Sequence, residues 1–574
     1  MARRDKKLRL FFGVALALAT FLTRFPIRAK TFFEFDSINF AAGTVRFDLS
    51  QVTPQIPGYI LHVLFGKLLY WITGDLNLAY VWVSLLLSIG AVLFLWRAAS
   101  VLRGERVGVI AALLWLTLPL FWFHGAVASI YAEEAFYTSL LLYLGLKWLR
   151  SVKPSWEVVL YFVALSLATG ARQTSILFFF PATIFLLFRR RPSKKIVTYA
   201  ILAFIVVTVG WVWELLQETG GLSTYLAMAN VENNFKTQSI IFGNSWQSQF
   251  DLIGKVLFYF VIALGPTWLL VLMVDVVFAG RSIAFVRMYA RNPLAQFVAL
   301  VAFVPMLFYL VVFFMKAGYL LNVMPSAILV RAVLLDQAAI GIAQRQKGRL
   351  RDKIILSRPL ITRNVAWLTG GIMLLNVLWF FVPFPGTQQK FYDNEDTRNS
   401  FVHGAVNRYE HSQSRALTLA NRAFEYTNVS GIRAVDSLND LALRALQANG
   451  GNDSGQVILA SWWYRWSYLL LPHAVTYDLE LDPYHSGALW VGRAYNIHRE
   501  FLDHPTDSII HFHSPHPVLL LLRHDRPDFD TIARQVHLER LPMPEYLDIY
   551  RILDSSFVLK WHDRTFMGTR CACP

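Results

Sequence analysis

Three stretches of this chain carry residues that could move a proton and neutralise a phosphate. Asp36 lies in Phe32-Phe33-Glu34-Phe35-Asp36-Ser37, where aromatic surroundings disfavour the charged form of a carboxylate and strengthen it as a proton acceptor. Asp36 would equally serve as a helix N-cap or a solvated loop acid, and Glu34 with Asp36 could hold a divalent cation. Asp48 is a weaker alternative in an ordinary polar stretch. Glu133 and Glu134 stand together in Ser129-Ile-Tyr-Ala-Glu-Glu-Ala-Phe136. Adjacent carboxylates on a helix point in different directions, so Glu133 is expected to face a site and Glu134 to meet the helix dipole. Arg172, in Thr169-Gly-Ala-Arg-Gln-Thr174, needs an anionic partner near a membrane, such as Glu133 or a lipid phosphate. Lys316, in Phe314-Met-Lys-Ala-Gly-Tyr319, is either a snorkelling helix end or a second phosphate ligand.

These residues must be positioned by membrane-spanning helices. The chain has 574 residues, is 55% hydrophobic and only 16% charged, yet carries a formal charge of +16. Such an apolar composition excludes an ordinary soluble protein, and its basic excess reads as positive loops on one membrane face rather than nucleic-acid binding. Only Cys571 and Cys573 occur, so no disulfide framework is expected, and the pair is too close for an unstrained bridge.

Basic clusters fall on every second connection between apolar runs. Arg3, Arg4, Lys6, Lys7 and Arg9 hold the N-terminus inside, and Leu8–Phe25 is a retained signal-anchor span. Gly58–Ile72, opened by Pro57, is read as an interfacial helix with His62 and Lys67 facing water, because otherwise Arg97, Arg103 and Arg106 would lie outside. Leu76–Leu95, Val107–Phe123, Ala135–Trp148, Trp156–Thr169, Ser175–Phe188, Ile196–Leu216, Leu252–Phe278, Leu294–Phe314, Tyr319–Leu335 and Val365–Phe384 then alternate in direction. The total is about eleven crossings. Ala135–Trp148 and Trp156–Thr169 would each cover only about 20 Å of a core of about 30 Å, opening an outer recess floored by Glu133, Glu134 and Arg172. Residues 1–384 are thus an all-α polytopic domain. Residues 385–574 read as a soluble extracytoplasmic α/β domain, with helical Asp436–Ala448 and strand-like Val457–Ala460 and Pro517–Leu522. Its histidines, His504, His511, His513, His516 and His524, match no zinc spacing and are read as loop residues.

Order and sidedness of these motifs resemble the GT-C membrane glycosyltransferases, in particular the protein O-mannosyltransferase superfamily. Asp36-Ser37 follows the first span, and Gln55-Ile-Pro-Gly-Tyr59 stands where that family has a His-Pro-Pro-Gly-Tyr-like element. Ile130-Tyr-Ala-Glu-Glu134 resembles its acidic outer-loop stretch, and Lys316-Ala-Gly-Tyr-Leu-Leu-Asn-Val-Met-Pro325 its late Lys-x-x-Tyr-Leu-Leu element. The resemblance implies an inverting transferase that takes a sugar from a polyprenyl- or dolichyl-phosphate carrier. Asp36 would be the base, with Arg172, Lys316 and Tyr319 at the donor phosphate. Glu34, Glu133, Glu134, Gln55, Tyr59 and His62 would support the site or the hydroxyl acceptor, which is a glycan, lipid or protein. Members with monophosphate donors generally work without a metal, so no cofactor is expected. A lipid-linked glycan polymerase or ligase is the alternative within the class, disfavoured because Gln217–Asp251 holds no arginine. A transporter or flippase is the alternative outside it, disfavoured because polar residues gather at one face rather than the midplane.

Overall fold

The computed structural model describes residues 2–49, 53–232, 239–265, 268, 291–314, 316–349, 358–382, 426–451, 455–460, 471, 473–479, 494–495, 509–522, 529–542, 549–561 and 564–570. Six of its helices are long and apolar enough to cross a bilayer: α1 (Ala2–Arg24), α4 (Leu76–Arg103), α10 (Lys194–Glu218), α13 (Pro293–Val311), α14 (Met324–Arg349) and α15 (Arg358–Phe381). Lipid offers the backbone no hydrogen-bond partners, so each apolar run closes on itself as a helix. The sequence also places a cap at several helix starts. Asp75 accepts from the Leu78 amide at 2.7 Å to open α4, and Asn292 accepts from the Leu294 amide at 2.9 Å with Pro293 as the first helical residue of α13.

Between them run α2 (Phe35–Val45), α3 (Ile60–Thr73), α5 (Glu105–Leu116), α6 (Pro119–His124), α7 (Tyr131–Arg150), α8 (Trp156–Ala171), α9 (Ser175–Arg190), α11 (Leu222–Glu232) and α12 (Trp246–Ala263). Helices α4 and α7 pack along each other at the centre, whereas α1 and α10 turn Phe11, Leu18, Leu22, Val206 and Val209 outward. Those outward residues form the lipid-facing surface, so the chain is an integral membrane protein.

Three expectations need correction. Val107–Phe123 is not one continuous helix: Leu118-Pro119 ends α5 and starts α6, because proline cannot donate the next helical hydrogen bond and disfavours helical geometry before it. The run Ala135–Trp148 is not short, since α7 begins at Tyr131 and covers about 30 Å, with Glu133 and Glu134 inside its first turn. Helix α3 does not turn His62 to water: His62 is fully buried, and Lys67 instead pairs with Glu218 at 2.5 Å. The second half of Leu252–Phe278 and the 385 boundary lie outside the described residues.

The C-terminal part contains helix α16 (Val429–Leu446) and two sheets. The larger is built from β1 (Val457–Ala460), β2 (Val475–Asp478), β3 (Ala494–Tyr495), β5 (Leu519–Leu521), β6 (Leu538–Arg540) and β7 (Ile549–Ile552) in the order β3-β2-β1-β5-β7-β6. β1 is parallel to both its neighbours and fully buried, as its unbroken Val-Ile-Leu-Ala run requires. The smaller sheet orders β4 (Ile509–Ser514), β9 (Arg564–Arg570) and β8 (Ser556–Trp561). Along β4 the side chains alternate, with His511 and His513 outward and Phe512 inward. His504, His524, Cys571 and Cys573 lie outside the described residues.

Helix α16 reaches back to the membrane part. Asp436 accepts the Lys30 and Thr31 amides at 2.9 Å and the Thr31 hydroxyl at 3.0 Å, and Asn439 donates to the Phe32 carbonyl at 3.2 Å. This clamp holds the segment that leads directly into Glu34 and Asp36.

Candidate active site

Asp36 stands in the first turn of α2, whose start is tied down by Ser37, the hydroxyl of which donates to the Ala128 carbonyl at 2.5 Å. Across from it the chain emerging from α13 brings Lys316. Its ammonium donates to Asp36 Oδ2 at 2.7 Å and lies 3.3 Å from Glu34 Oε2. Glu34 is buried, while Asp36 and Lys316 keep 29% and 23% of their side chains exposed. Those two therefore form the accessible edge of the cluster. Burial works against the charged form of Lys316, but Asp36 and Glu34 outweigh it, with a smaller part from Tyr426, and hold the ammonium well above the usual lysine range.

Behind this edge lies a closed polar layer. Arg172, at the end of α8, pairs with Glu134 and sits 4.3 Å from the centre of the Tyr319 ring, a cation–π contact. Tyr319 belongs to a 3-10 turn, Ala317–Asn322, and meets Tyr131 edge to face at 5.4 Å. Asn322 of the same turn donates both to Glu134 and to the Tyr309 hydroxyl, the latter at 3.0 Å, and takes a hydrogen bond from Thr138 at 3.3 Å. Glu133 points the other way, to His62 Nδ1 at 2.7 Å. Of the anionic partners open to Arg172, a carboxylate such as Glu133 or a lipid phosphate, the structure pairs it with the neighbouring carboxylate, Glu134, because the helical rotation between successive residues sends Glu133 and Glu134 to different neighbours. The expected open recess is corrected: Glu133, Glu134 and Arg172 are all buried, Glu134 against Arg172 and Glu133 against His62, rather than lining an exposed floor.

Gln55 and Tyr59 lie in the turn before α3. Tyr59 adopts φ 44° and packs its ring edge on Phe40 at 5.2 Å, and the Gln55 carbonyl accepts the Gly58 amide at 2.9 Å. The turn is joined to the Arg172 loop by Gln173, which donates to the Pro57 carbonyl at 3.3 Å. Asp48 closes a backbone bridge with Thr53.

Sequence reasoning missed three residues here. His124 is fully buried, shares a hydrogen bond between its Nδ1 and Ser129 Oγ at 3.0 Å and stacks on Tyr426. Asn322 gave one signal, an amide inside an apolar run beside the Lys-x-x-Tyr stretch. Asp436 gave none, being remote in sequence. Burial raises the Asp436 carboxyl above its usual range, while the Lys30 and Thr31 hydrogen bonds pull in the opposite direction.

Gly318 is required by close approach: a Cβ there would collide with the ring of Tyr131. Gly318→Ala is therefore expected to lower stability by about 1–3 kcal/mol, as overpacking a filled core does. Thermal unfolding of the detergent-solubilised protein measures it, and an unchanged midpoint would contradict the packing described. Among the described residues no group of three or more His, Cys, Asp or Glu is arranged to hold a metal ion.

Residues 57–213 match the family model described as dolichyl-phosphate-mannose-protein mannosyltransferase. That range includes Tyr59, His62, Glu133, Glu134 and Arg172, with Asp36 and Lys316 on either side of it. The fold is similar to that of ArnT from Cupriavidus metallidurans. Its crystal structure bound to undecaprenyl phosphate is 11% identical with a TM-score of 0.54, over 94% of this chain and 97% of that one. The apo form is 12% identical with a TM-score of 0.51, over 96% and 98%. At that identity the likeness is one of fold, and the fold is GT-C. No curated protein sequence matches the chain.

Proposed function

We propose that this GT-C membrane protein is a glycosyltransferase that moves one sugar from a polyprenyl-phosphate carrier to a hydroxyl acceptor on the extracytoplasmic face. The observation that carries the reading is the cluster of Asp36, Glu34 and Lys316 at the accessible edge, backed by the Arg172–Glu134 pair. A family model for dolichyl-phosphate-mannose transferases over residues 57–213 supports it, as does the shared fold of a protein crystallised with undecaprenyl phosphate.

In this reading Asp36 takes the proton of the acceptor hydroxyl. The acceptor oxygen forms the new bond to the anomeric carbon, the bond from that carbon to the carrier phosphate breaks, and the configuration inverts. The leaving phosphate gains charge, which Lys316 offsets, with Arg172 behind Tyr319 adding to the positive field. The reaction is read as needing no resident metal. Lys316 already occupies the position between Glu34 and Asp36 that a divalent cation would take, and one ammonium suffices for a single departing phosphate. Basic residues at the opposite helix ends, Arg103, Arg150 and Arg190, support the reading that this end faces the cytoplasm. The region after 385 is proposed as an extracytoplasmic domain whose helix α16 holds the Asp36 segment in place.

A transfer assay with purified protein and a panel of radiolabelled polyprenyl-phosphate sugars, each with glycan, lipid and peptide acceptors, tests the proposal. Transfer with at least one donor is expected; none with any would refute it. A second expectation concerns pH. Because its neighbours raise Lys316, its charge and the ion pair persist up to and beyond about pH 10 and are lost only above that. Between about pH 7 and 10 the rate should therefore show no alkaline fall that Lys316→Arg abolishes.

A further inference from the structure

At the far end of the bundle the helices that frame the candidate site form a second feature, which the transfer reading does not use. Helix α7 carries Glu133 and Glu134 in its first turn and ends at Arg150, about 30 Å away at 1.5 Å per residue. Helix α9 starts three residues after Arg172 and ends at Arg189 and Arg190, while α13 starts at Pro293 and leads to Lys316. Where these three ends converge there is a cavity of about 420 Å³, lined by Leu149, Arg150, Arg189, Arg190, Asn292 and Leu294 together with Pro293. That size falls in the range of about 300–1,000 Å³ usual for small-molecule sites.

The charged part of the lining is positive. It contains three guanidinium groups and no carboxylate, and none of the three arginines is in an ion pair among the described residues. Two are held in place by the backbone. Arg190 Nε donates to the Leu149 carbonyl at 2.7 Å, and Arg150 Nη2 donates to the Leu102 carbonyl at 3.0 Å, both near helix C-termini, where the dipole favours a cation. A guanidinium has five N–H donors, so these single bonds orient Arg150 and Arg190 and leave most of their donors free. The start of α13 adds its positive dipole end on the same side. Three like charges gathered without a carboxylate among the described residues repel one another, an effect the carbonyl ends of α7 and α9 only partly offset, and a phosphate group taken into the cavity would relieve that repulsion while accepting bidentate bonds.

We propose that this cavity binds a phosphate group, carried either by an anionic lipid headgroup at the membrane surface or by free phosphate, and that occupancy ties together the ends of α7, α9 and α13. The three helices that position Glu134, the Arg172 loop and Lys316 would then be braced from the membrane face opposite the reaction.

The test uses the full-length protein in detergent, with cardiolipin, phosphatidylcholine and inorganic phosphate as separate probes, bound lipid read by native mass spectrometry and phosphate by calorimetry. Arg150→Gln/Arg189→Gln is the principal variant and Arg189→Gln alone the milder one, with helical circular dichroism confirming the fold of each. The wild type should retain cardiolipin over phosphatidylcholine and lose about tenfold of that affinity in the double variant. Saturable phosphate binding without lipid preference, also lost in the variants, upholds the site with free phosphate as its ligand. Equal binding by wild type and folded variants, or no preference for either anion, overturns it.

Discussion

Asp36→Asn is expected to reduce sugar transfer by about 10²–10⁴-fold, the usual contribution of a positioned general base. The amide keeps the shape of the side chain and still offers Lys316 an oxygen, but it cannot take up the acceptor proton. Binding of the donor should change far less than turnover, because Glu34 and Lys316 remain together at 3.3 Å. Stability should change little as well. Asp36 is nearly a third exposed, and ion pairs open to water contribute about 0–1 kcal/mol. Steady-state kinetics with the best donor from the panel, alongside thermal unfolding, separates these effects. A folded Asp36→Asn protein with turnover within about threefold of wild type would remove Asp36 as the base, since that is well short of the loss expected.

The second large effect is expected at the buried pair. Removing one partner of a buried ion pair leaves an uncompensated charge and costs about 3–5 kcal/mol. Arg172→Ala strands Glu134, which then has Asn322 as its polar neighbour. Glu134→Gln strands Arg172 against the face of Tyr319. Both single variants should therefore unfold at markedly lower temperature. The double variant Arg172→Gln/Glu134→Gln carries no stranded charge and should recover most of the lost stability. Activity should not recover with it, because the positive field behind Lys316 is gone. Arg172→Lys should also stay impaired: an ammonium lacks the flat face that stacks on Tyr319 and the fork that meets a carboxylate. If Arg172→Ala melts like the wild type, the pair does not hold the site; if the double variant regains both stability and activity, Arg172 has no part in the reaction.

The two variants differ because the site has two layers. Its accessible edge is a proton acceptor and a cation shared between neighbouring carboxylates, and that edge can change without unfolding the protein. Its inner layer, Glu134 with Arg172, Asn322 and Tyr309, is both wall and support, so chemistry and stability are coupled there.

Much of this was legible in the residues themselves. The lengths of the apolar runs and the alternation of basic loops determine a helical membrane fold, because hydrocarbon satisfies no backbone hydrogen bond and a helix satisfies nearly all of them internally. The same alternation places Glu34, Asp36, Glu133, Glu134, Arg172 and Lys316 at one end of the bundle. Proline at 119 already marks a break that the apolar pattern alone conceals. Which acid meets which base was not determined at that level. Asp36 and Lys316 are 280 positions apart, and Lys30 and Asp436 are 406 apart. Such partners are chosen by how each helix is rotated about its axis and by which helix lies beside it. Those are properties of packing between elements, so only the tertiary structure assigned Glu133 to His62 and Glu134 to Arg172, buried His62, and brought α16 down onto the segment that carries Asp36.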